Sequence, residues 1–540
     1  MARAVPWRDV AVLTVVALVV RALAAWLVPF PPHVDPAYYT MIAEQLATGH
    51  GFTAPALWSF LEVGGRLPAS PSLPVPSNGH WMPLTAIVAA GPMLLFAADW
   101  RSGQVAMVLL STLLVPLTYL AGWWIWESRR VAVLSGVLAI AAGSLLLMYP
   151  LVESFAVFGF VGGVALLASV RAVEAPRPGP WLVLAGVATG LAALTRIDGA
   201  LLALAPATAW VMRRPFAADG GFGRLARALG WGAASALAFA VVVAPWLMRN
   251  LAVFDTPLPS AGGRLIWIRD YNEHLSISMD LTVGRYLDWG LLPIIGSKLR
   301  VLVELLGRTI GLLGGIFGLY FLAGLWIERR NRRLAPFLVY VAAMFVVMVL
   351  VFTEHAPKGA YLHTAPAWLP IAIPLGIASV GRASNAAATW WRFLGRSRTH
   401  RFIEVVGLVG AVVLALAGAM ALLTQWEVRW ERTEAAATFL SGAAQEDDVV
   451  LAGDPSSLYL LTGLRGVATP FDPFDILADV VDAYDVDWVV VVLDEGAERD
   501  PLGLWDGSRA IDATGASPDF LPAEPAFEAD GVRVFQVTRP

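Results

Sequence analysis

The chain has 540 residues, of which 57% are hydrophobic and only 15% charged, with a formal net charge of -4 and a mean hydropathy of +0.65. A soluble globular chain carries roughly a quarter charged residues, so a single soluble domain is excluded. The absence of cysteine excludes disulfides and thiolate metal sites, and arginines scattered in short clusters between apolar runs exclude the basic stripe of a nucleic-acid binder.

The net charge conceals a division. From residue 425 onward there are 23 acids against seven arginines, while the remainder carries 19 acids against 31 basic residues. A basic membrane portion, 1–425, is followed by an acidic tail, 426–540. Lysine occurs only at Lys298 and Lys358.

In chain order, Arg3 and Arg8 precede a first apolar run at about 9–29. That is long for a secretory signal and reads as a retained helix. Further runs at 104–126, 131–149, 154–171, 181–194, 199–212, 230–248, 309–327, 334–352, 364–380 and 402–424 predict eleven spans in all. The pair 181–194 and 199–212 is short for full crossings. Arginine clusters at 129–130, 171–177, 213–227, 329–333 and 382–401 all fall on one side of this threading. The positive-inside rule makes that side cytoplasmic, with the N-terminus inside and the tail outside the plasma membrane. Two apolar stretches, 83–98 with Gly91-Pro92 and 286–306 with Lys298 and Arg300, are expected as interfacial helices on the outer side. Arg21 inside the first helix is costly there and is expected to face other helices or reach outward.

The outer loops, 30–103, 150–153, 195–198, 249–308 and 353–363, collect the residues that look chemical. The first contains HVDPAYYTMIAEQLATGHGF, His33 to Phe52. Asp35 before Pro36 reads as a helix N-cap and Gly49 as its stop. Capping leaves Tyr38 and Tyr39 unexplained, either as an interfacial aromatic belt or as sugar platforms. Glu153 equally suits the cap of a helix starting at Ser154. Arg196 with Asp198 reads as a local pair or an anion site, Asn250 as a helix-end residue, and Arg249, Arg264 and Lys358 as snorkelling cations or phosphate clamps. His80 and His363 suit either structural bonds or contacts to phosphate or sugar. In the tail, 449–452, 488–493 and 532–537 read as strands and 476–484 as a helix, a small α/β domain without a phosphate-binding glycine loop.

Asp35-x-x-Tyr38-Tyr39 with the helix ending in Gly49-x-Gly51-Phe52 resembles the first outer loop of the GT-C glycosyltransferases. The nearest branch is that of the protein O-mannosyltransferases and lipid A aminoarabinose transferases (family 39-like). His80-Trp81-Met82-Pro83, Pro150-Leu151-Val152-Glu153, Thr195-Arg196-Ile197-Asp198-Gly199, Pro245-Trp246 through Arg249-Asn250, and Lys358 through His363 are similar to further segments of that family, in the same order. Departures are Pro36, where many relatives carry a second acid, and Ile197-Asp198 in place of Pro-Glu.

The resemblance implies an all-α polytopic GT-C-like arrangement with outer interfacial helices, capped by the α/β tail. It also implies inverting transfer of a hexosyl or pentosyl group from a polyprenyl-phosphate donor to a glycan, lipid or protein acceptor at the outer membrane face. Asp35 is expected as the general base, and Glu153 as a second carboxylate for the acceptor or a divalent cation. Tyr38, Tyr39, His80, Arg196, Asp198, Arg249, Asn250, Arg264, Lys358 and His363 are expected at the substrate, with Asp35, Glu153, Arg196, Arg249 and Lys358 converging on one cavity. The resemblance names no certain cofactor beyond that divalent cation. A secondary transporter would want midplane charges and an inverted repeat, which the sequence does not display; a non-catalytic envelope scaffold would make Asp35 and Glu153 dispensable.

Overall fold

The computed structural model describes residues 4–141, 143–213, 221–259, 263–492 and 519–539. Its helices are α1 (Trp7–Leu27), α2 (Val34–Ala47), α3 (Leu84–Leu95), α4 (Trp100–Trp126), α5 (Arg129–Ala141), α6 (Ser154–Glu174), α7 (Pro178–Thr195), α8 (Leu204–Met212), α9 (Gly221–Phe254) and α10 (Val283–Leu287). There follow α11 (Leu291–Leu312), α12 (Ile316–Ile327), α13 (Ala335–Leu350), α14 (Tyr361–Ala387), α15 (Ser397–Ala443), α16 (Pro455–Thr462) and α17 (Phe474–Ala483).

All eleven apolar runs are helical, but not all as full spans. Among the described residues, seven helices are long and apolar enough to cross a membrane: α1, α4, α6, α7, α9, α14 with the turn before it, and α15. The chain is a multi-pass membrane protein. The first member of the short pair, α7, reaches spanning length, whereas its neighbour is a 3-10 turn, Ile197–Ala203, running into the nine-residue α8. The run at 131–149 is helical only to Ala141 and continues as a 3-10 turn, Gly143–Leu145.

The span expected at 309–327 needs correction. Its first residues end α11, and α12 leaves at 115° after a break at Gly314 and Gly315. Both glycines are left-handed, with φ of +72° and +74°, a conformation that only glycine adopts without strain. A Cβ on Gly314 would also lie 2.3 Å from the Ala411 Cβ. The interfacial segments expected at 83–98 and 286–306 appear as α3, too short to cross, and as most of α11.

The chain divides into two compact units. The first is Met1–Leu27, Gln104–Leu247 and Leu292–Met420, and among its described residues there is no strand. Its centre is α6 and α14, whose apolar stretches are 83% and 89% buried. They approach closely because small residues face each other: a Cβ on Gly162 would stand 2.5 Å from that of Ala367. Phe317, Phe321, Phe337, Tyr361 and Trp368 fill the space alongside. Arg21 faces inward, fully buried, donating from Nη2 to Ala139 O at 3.1 Å with its guanidinium 4.7 Å from the Tyr149 ring centroid.

The second unit, Val28–Gly103, Met248–Leu291 and Ala421–Pro540, takes in more than the tail. Thr53–Ala54 (β1), Ala56–Leu57 (β2) and Val75–Pro76 (β3) come from the first outer loop. The tail supplies Val449–Ala452 (β4), Arg465–Ala468 (β5), Trp488–Val492 (β6), Phe527–Ala529 (β7) and Val532–Gln536 (β8). One six-stranded sheet runs β2-β5-β4-β6-β8-β7, parallel from β2 to β6 and antiparallel thereafter. Its edge strand β2 therefore comes from the loop, pairing Ala56 with Gly466 and Leu57 with Val467. The loop at 248–291 is tied in as well: Asp472 accepts from Ser276 Oγ at 2.6 Å and from the Ile277 and Ser278 amides at 2.7 and 3.1 Å. Sequence reasoning anticipated β4, β6 and β8 and the helix α17, and missed β1, β2, β3, β5, β7 and α16. The expected end of the β6 strand, Leu493, lies outside the described residues.

Gly314→Ala is expected to destabilise the purified protein by about 1–3 kcal/mol, the scale of overpacking, in addition to the backbone strain. A thermal unfolding midpoint equal to wild type would contradict this account of the α11–α12 break.

Candidate functional site

In the second unit, α2 begins two residues earlier than the cap reading requires. His33 occupies the N-cap position with extended backbone, and its side chain makes no capping bond. Asp35 lies inside the first turn, half-buried, where the helix dipole favours a carboxylate. The N-cap position is therefore not Asp35's. Tyr271, in the 248–291 loop, is close enough to feel it: burial and then the Asp35 charge push the Tyr271 phenol up to about 12.

Behind Asp35 the helix buries its aromatics. Tyr38 is fully buried and Tyr39 nearly so, against Trp81 at centroid separations of 4.9 and 5.6 Å. Trp81 in turn stacks on Trp58 at 3.6 Å. The pair is thus part of a loop core, neither an exposed belt nor an open platform.

At the middle of this core sits Glu62, fully buried. Trp58 Nε1 donates to its Oε1 at 2.8 Å and the Gly79 amide to its Oε2 at 2.5 Å. Burial raises the Glu62 pKa, and bonds from Trp58, Gly79, Tyr38 and the His80 amide pull it back. Tyr38 Oη accepts from the Asn78 amide at 2.8 Å, and its own acidity is suppressed by burial and then by the Glu62 charge. A Cβ on Gly79 would lie 2.3 Å from the Glu62 carbonyl oxygen, so this turn admits only glycine. His80 is half-buried beside Trp58, at 5.8 Å between centroids.

The cations expected at the substrate also hold the loops. Arg249 donates to Asn250 Oδ1 at 3.1 Å and to Phe52 O at 3.4 Å, its guanidinium 5.6 and 5.0 Å from the Phe52 and Phe254 ring centroids. Asn250 Nδ2 donates to Pro257 O at 3.1 Å. Arg264 donates to Gly65 O at 3.2 Å and Met279 O at 2.9 Å.

In the first unit, Glu153 stands at the N-cap of α6 but makes no capping bond. Its carboxylate, fully buried, instead lies 3.1 Å from His363 Nδ1. That nitrogen is also 3.0 Å from Ser154 Oγ, and the imidazole stacks on Phe155 at 4.4 Å and 14°. Nδ1 thus stands within reach of both the Ser154 hydroxyl and the Glu153 carboxylate, and the imidazole forms an ion pair with that carboxylate when it is protonated. Carboxylate and imidazole are donor types that a divalent cation accepts, though two donors do not complete its shell.

His363 is positioned by a five-residue π turn, Ala356–Ala360, at the head of α14, which also carries the exposed Lys358. Arg300 of α11 fastens the residues before that turn, its Nη2 at 2.9 and 2.7 Å from the two Glu354 oxygens, and Lys298 Nζ donates to Thr353 Oγ1. Arg196 and Asp198, at the end of α7, form a two-bond pair at 3.0 and 3.2 Å, so the local reading of those residues describes their contacts.

No family model matches the chain, and none of the curated proteins matches it. Solved structures do. ArnT from Cupriavidus metallidurans in the apo state aligns with a TM-score of 0.58 at 16% identity, covering 98% of this chain and 97% of that one. The same protein bound to undecaprenyl phosphate aligns at 0.57, 15% identity and coverages of 99% and 98%. The Archaeoglobus fulgidus oligosaccharyltransferase, in complex with Zn and sulfate, aligns at 0.51 and 14% identity over 89% of this chain and 67% of its own. The fold is that of the GT-C glycosyltransferases.

Within the GT-C fold, sequence reasoning picked Asp35, Glu153 and His363 but did not foresee that the last two pair across 210 positions. It missed Glu62, Trp58 and Tyr271. A glutamate preceded by an aromatic run and followed by Gly64-Gly65 carries no local signal of burial; only its distant partners declare it.

Because every group bonded to Glu62 is a donor, Glu62→Gln turns one acceptor into an NH2 facing N–H groups. The expected cost is about 1–3 kcal/mol, that of a buried unsatisfied polar group, read as a lower thermal midpoint. An unchanged midpoint would show that the carboxylate is not what organises this loop.

Proposed function

We propose that the protein is an integral-membrane inverting glycosyltransferase that moves a sugar, hexosyl or pentosyl, from a polyprenyl-phosphate donor to an acceptor at the outer face of the membrane. The observation that carries this reading is Asp35: a half-buried carboxylate in the first turn of α2, on a GT-C scaffold whose ArnT relative has been captured with undecaprenyl phosphate.

In this reaction the acceptor oxygen bonds to the anomeric carbon, the bond from that carbon to the phosphate oxygen breaks, and the lipid phosphate leaves with the electron pair. Asp35 takes the acceptor proton, since a neutral hydroxyl is a weak nucleophile. Arg249, Arg264 and Lys358 face the charge that builds on the leaving phosphate, where fixed cations are most effective. Arg196 contributes through its pair with Asp198. The Glu153–His363 pair positions the acceptor or holds a divalent cation, whose contribution would be polarisation of the phosphate. Tyr38, Tyr39, His80 and Asn250 shape the loops that bear these groups.

The arginine clusters support an N-terminus and cluster loops inside and an outer location for Asp35 and the tail. Reporter fusions at residues 60, 390 and 540 are expected to read out, in and out; a cytoplasmic reading at 540 would overturn this topology.

Membranes supplied with polyprenyl-phosphate sugars should release lipid phosphate in an acceptor-dependent manner. Asp35→Asn preserves size and folding and should lower the rate by roughly a hundredfold or more, the scale of lost general-base catalysis. Near-normal transfer by a well-expressed Asp35→Asn protein would remove Asp35 from the mechanism.

A further inference from the structure

An open groove of about 630 Å³ runs between α7, α8 and α9 in the first unit, away from Glu153 and His363 in sequence and in lining. Small residues make its floor, among them Gly186, Ala203, Ala207, Gly232 and Ala236, and no charged residue lines it. Its walls are fixed. Ser235 Oγ donates to Leu182 O at 2.8 Å, and Trp210 Nε1 donates to Ala228 O at 2.7 Å. Large apolar side chains beside it are exposed, including Leu184, Val211, Leu237 and Val241. In a membrane protein such a surface faces lipid.

One end of the groove differs from the other. Arg177 precedes the lining residue Leu182 by five positions, Arg213 follows Trp210 by three, and Arg227 precedes Leu229 by two. These are the start of α7, the end of α8 and the first part of α9. Trp181, Trp210 and Trp231 cluster there, and Arg171 lies over the Trp181 ring at 5.8 Å. Tryptophan with arginine is the composition of the membrane–water interface. An apolar slot with an arginine near the same end of each of its three helices, one of them, Arg213, held by an Nη1 bond to Val173 O at 3.1 Å, matches the build of an anionic lipid, and basic pockets between membrane helices bind such headgroups.

We infer that this groove holds an anionic phospholipid of the surrounding bilayer, its chain along the small-residue floor and its phosphate at Arg177, Arg213 and Arg227. A second copy of the chain fits less well, because a two-fold contact here would set the same arginines opposite one another. The inference stands independently of the transfer reaction proposed above.

Native mass spectrometry of the detergent-purified protein with dioleoylphosphatidylglycerol or dioleoylphosphatidylcholine tests it. Wild type is expected to retain the former and lose the latter. Arg177→Gln and Arg227→Gln, both at exposed side chains, should each lower phosphatidylglycerol retention about fivefold, the effect of one juxtamembrane charge at an anionic surface. Ala236→Phe, filling the slot, should lower it further while the thermal unfolding midpoint stays at the wild-type value. Equal retention of both lipids, or undiminished retention in the arginine variants, would overturn the inference. So would displacement of phosphatidylglycerol by undecaprenyl phosphate, or a dimer mass that Ala236→Phe abolishes.

Discussion

In lipid, every backbone amide and carbonyl must find its partner within its own helix, because no water is there to replace it. The first unit follows this along α6 and α7; α14 departs from it at Pro366, Pro370 and Pro374, which have no amide proton to give, and further departures fall at helix ends. The 3-10 turn at Ile197–Ala203, the π turn at Ala356–Ala360 and the glycine break at 314–315 are such departures. The residues with chemical potential follow the same rule. Arg196 and Asp198 end α7, Glu153 begins α6, and Lys358 and His363 sit on or just after the π turn. A carboxylate placed in mid-helix would need a partner on a neighbouring helix. At a helix end it finds one locally, or across the short gap between two ends, as Glu153 finds His363.

The second unit solves a different problem. A loop of some seventy residues with little regular structure must hold Asp35 in one place. It does so with a buried acceptor and a borrowed sheet. Glu62 gathers the amides of the 79–80 turn and the Trp58 indole, and the stacked tryptophans then pack on Tyr38 and Tyr39 of α2. Burying a carboxylate costs several kcal/mol unless its lone pairs are filled; here donors surround both oxygens. The strand β2 meanwhile joins the tail's sheet, so the loop shares the tail's core. The tail thereby acts on the loop that carries Asp35, as part of the same compact unit.

Several cations read from sequence as ligand groups turn out to have structural contacts as well. Arg249 and Arg264 bind backbone carbonyls, and Arg196 is paired with Asp198. A guanidinium has five donors in a fixed plane, and contacts of this kind hold that plane in one orientation. Preorganisation of this kind is what a site facing a transient phosphate charge requires, since fixed donors need not reorganise as the charge develops.

Local chemistry decided a good deal before any folding was known. Twenty-residue apolar runs, arginine clusters and the acidic tail determined where helices would lie, that the chain is polytopic, and where the loops bearing Asp35, Glu153 and His363 would fall. Those features depend on composition over short windows, which hydropathy reads directly. Tertiary structure alone decided that Tyr38 and Tyr39 are core, that Glu62 is the hub of their loop, that a two-residue stretch at Ala56–Leu57 is a strand, and that Glu153 turns from its helix toward His363. Each of these is a pairing between residues far apart in the chain, and its energy comes from desolvation and hydrogen-bond geometry that no short window contains. The break at Gly314-Gly315 lies between the two cases: the glycines are visible in sequence, but the neighbouring Ala411 that forbids a side chain there is not.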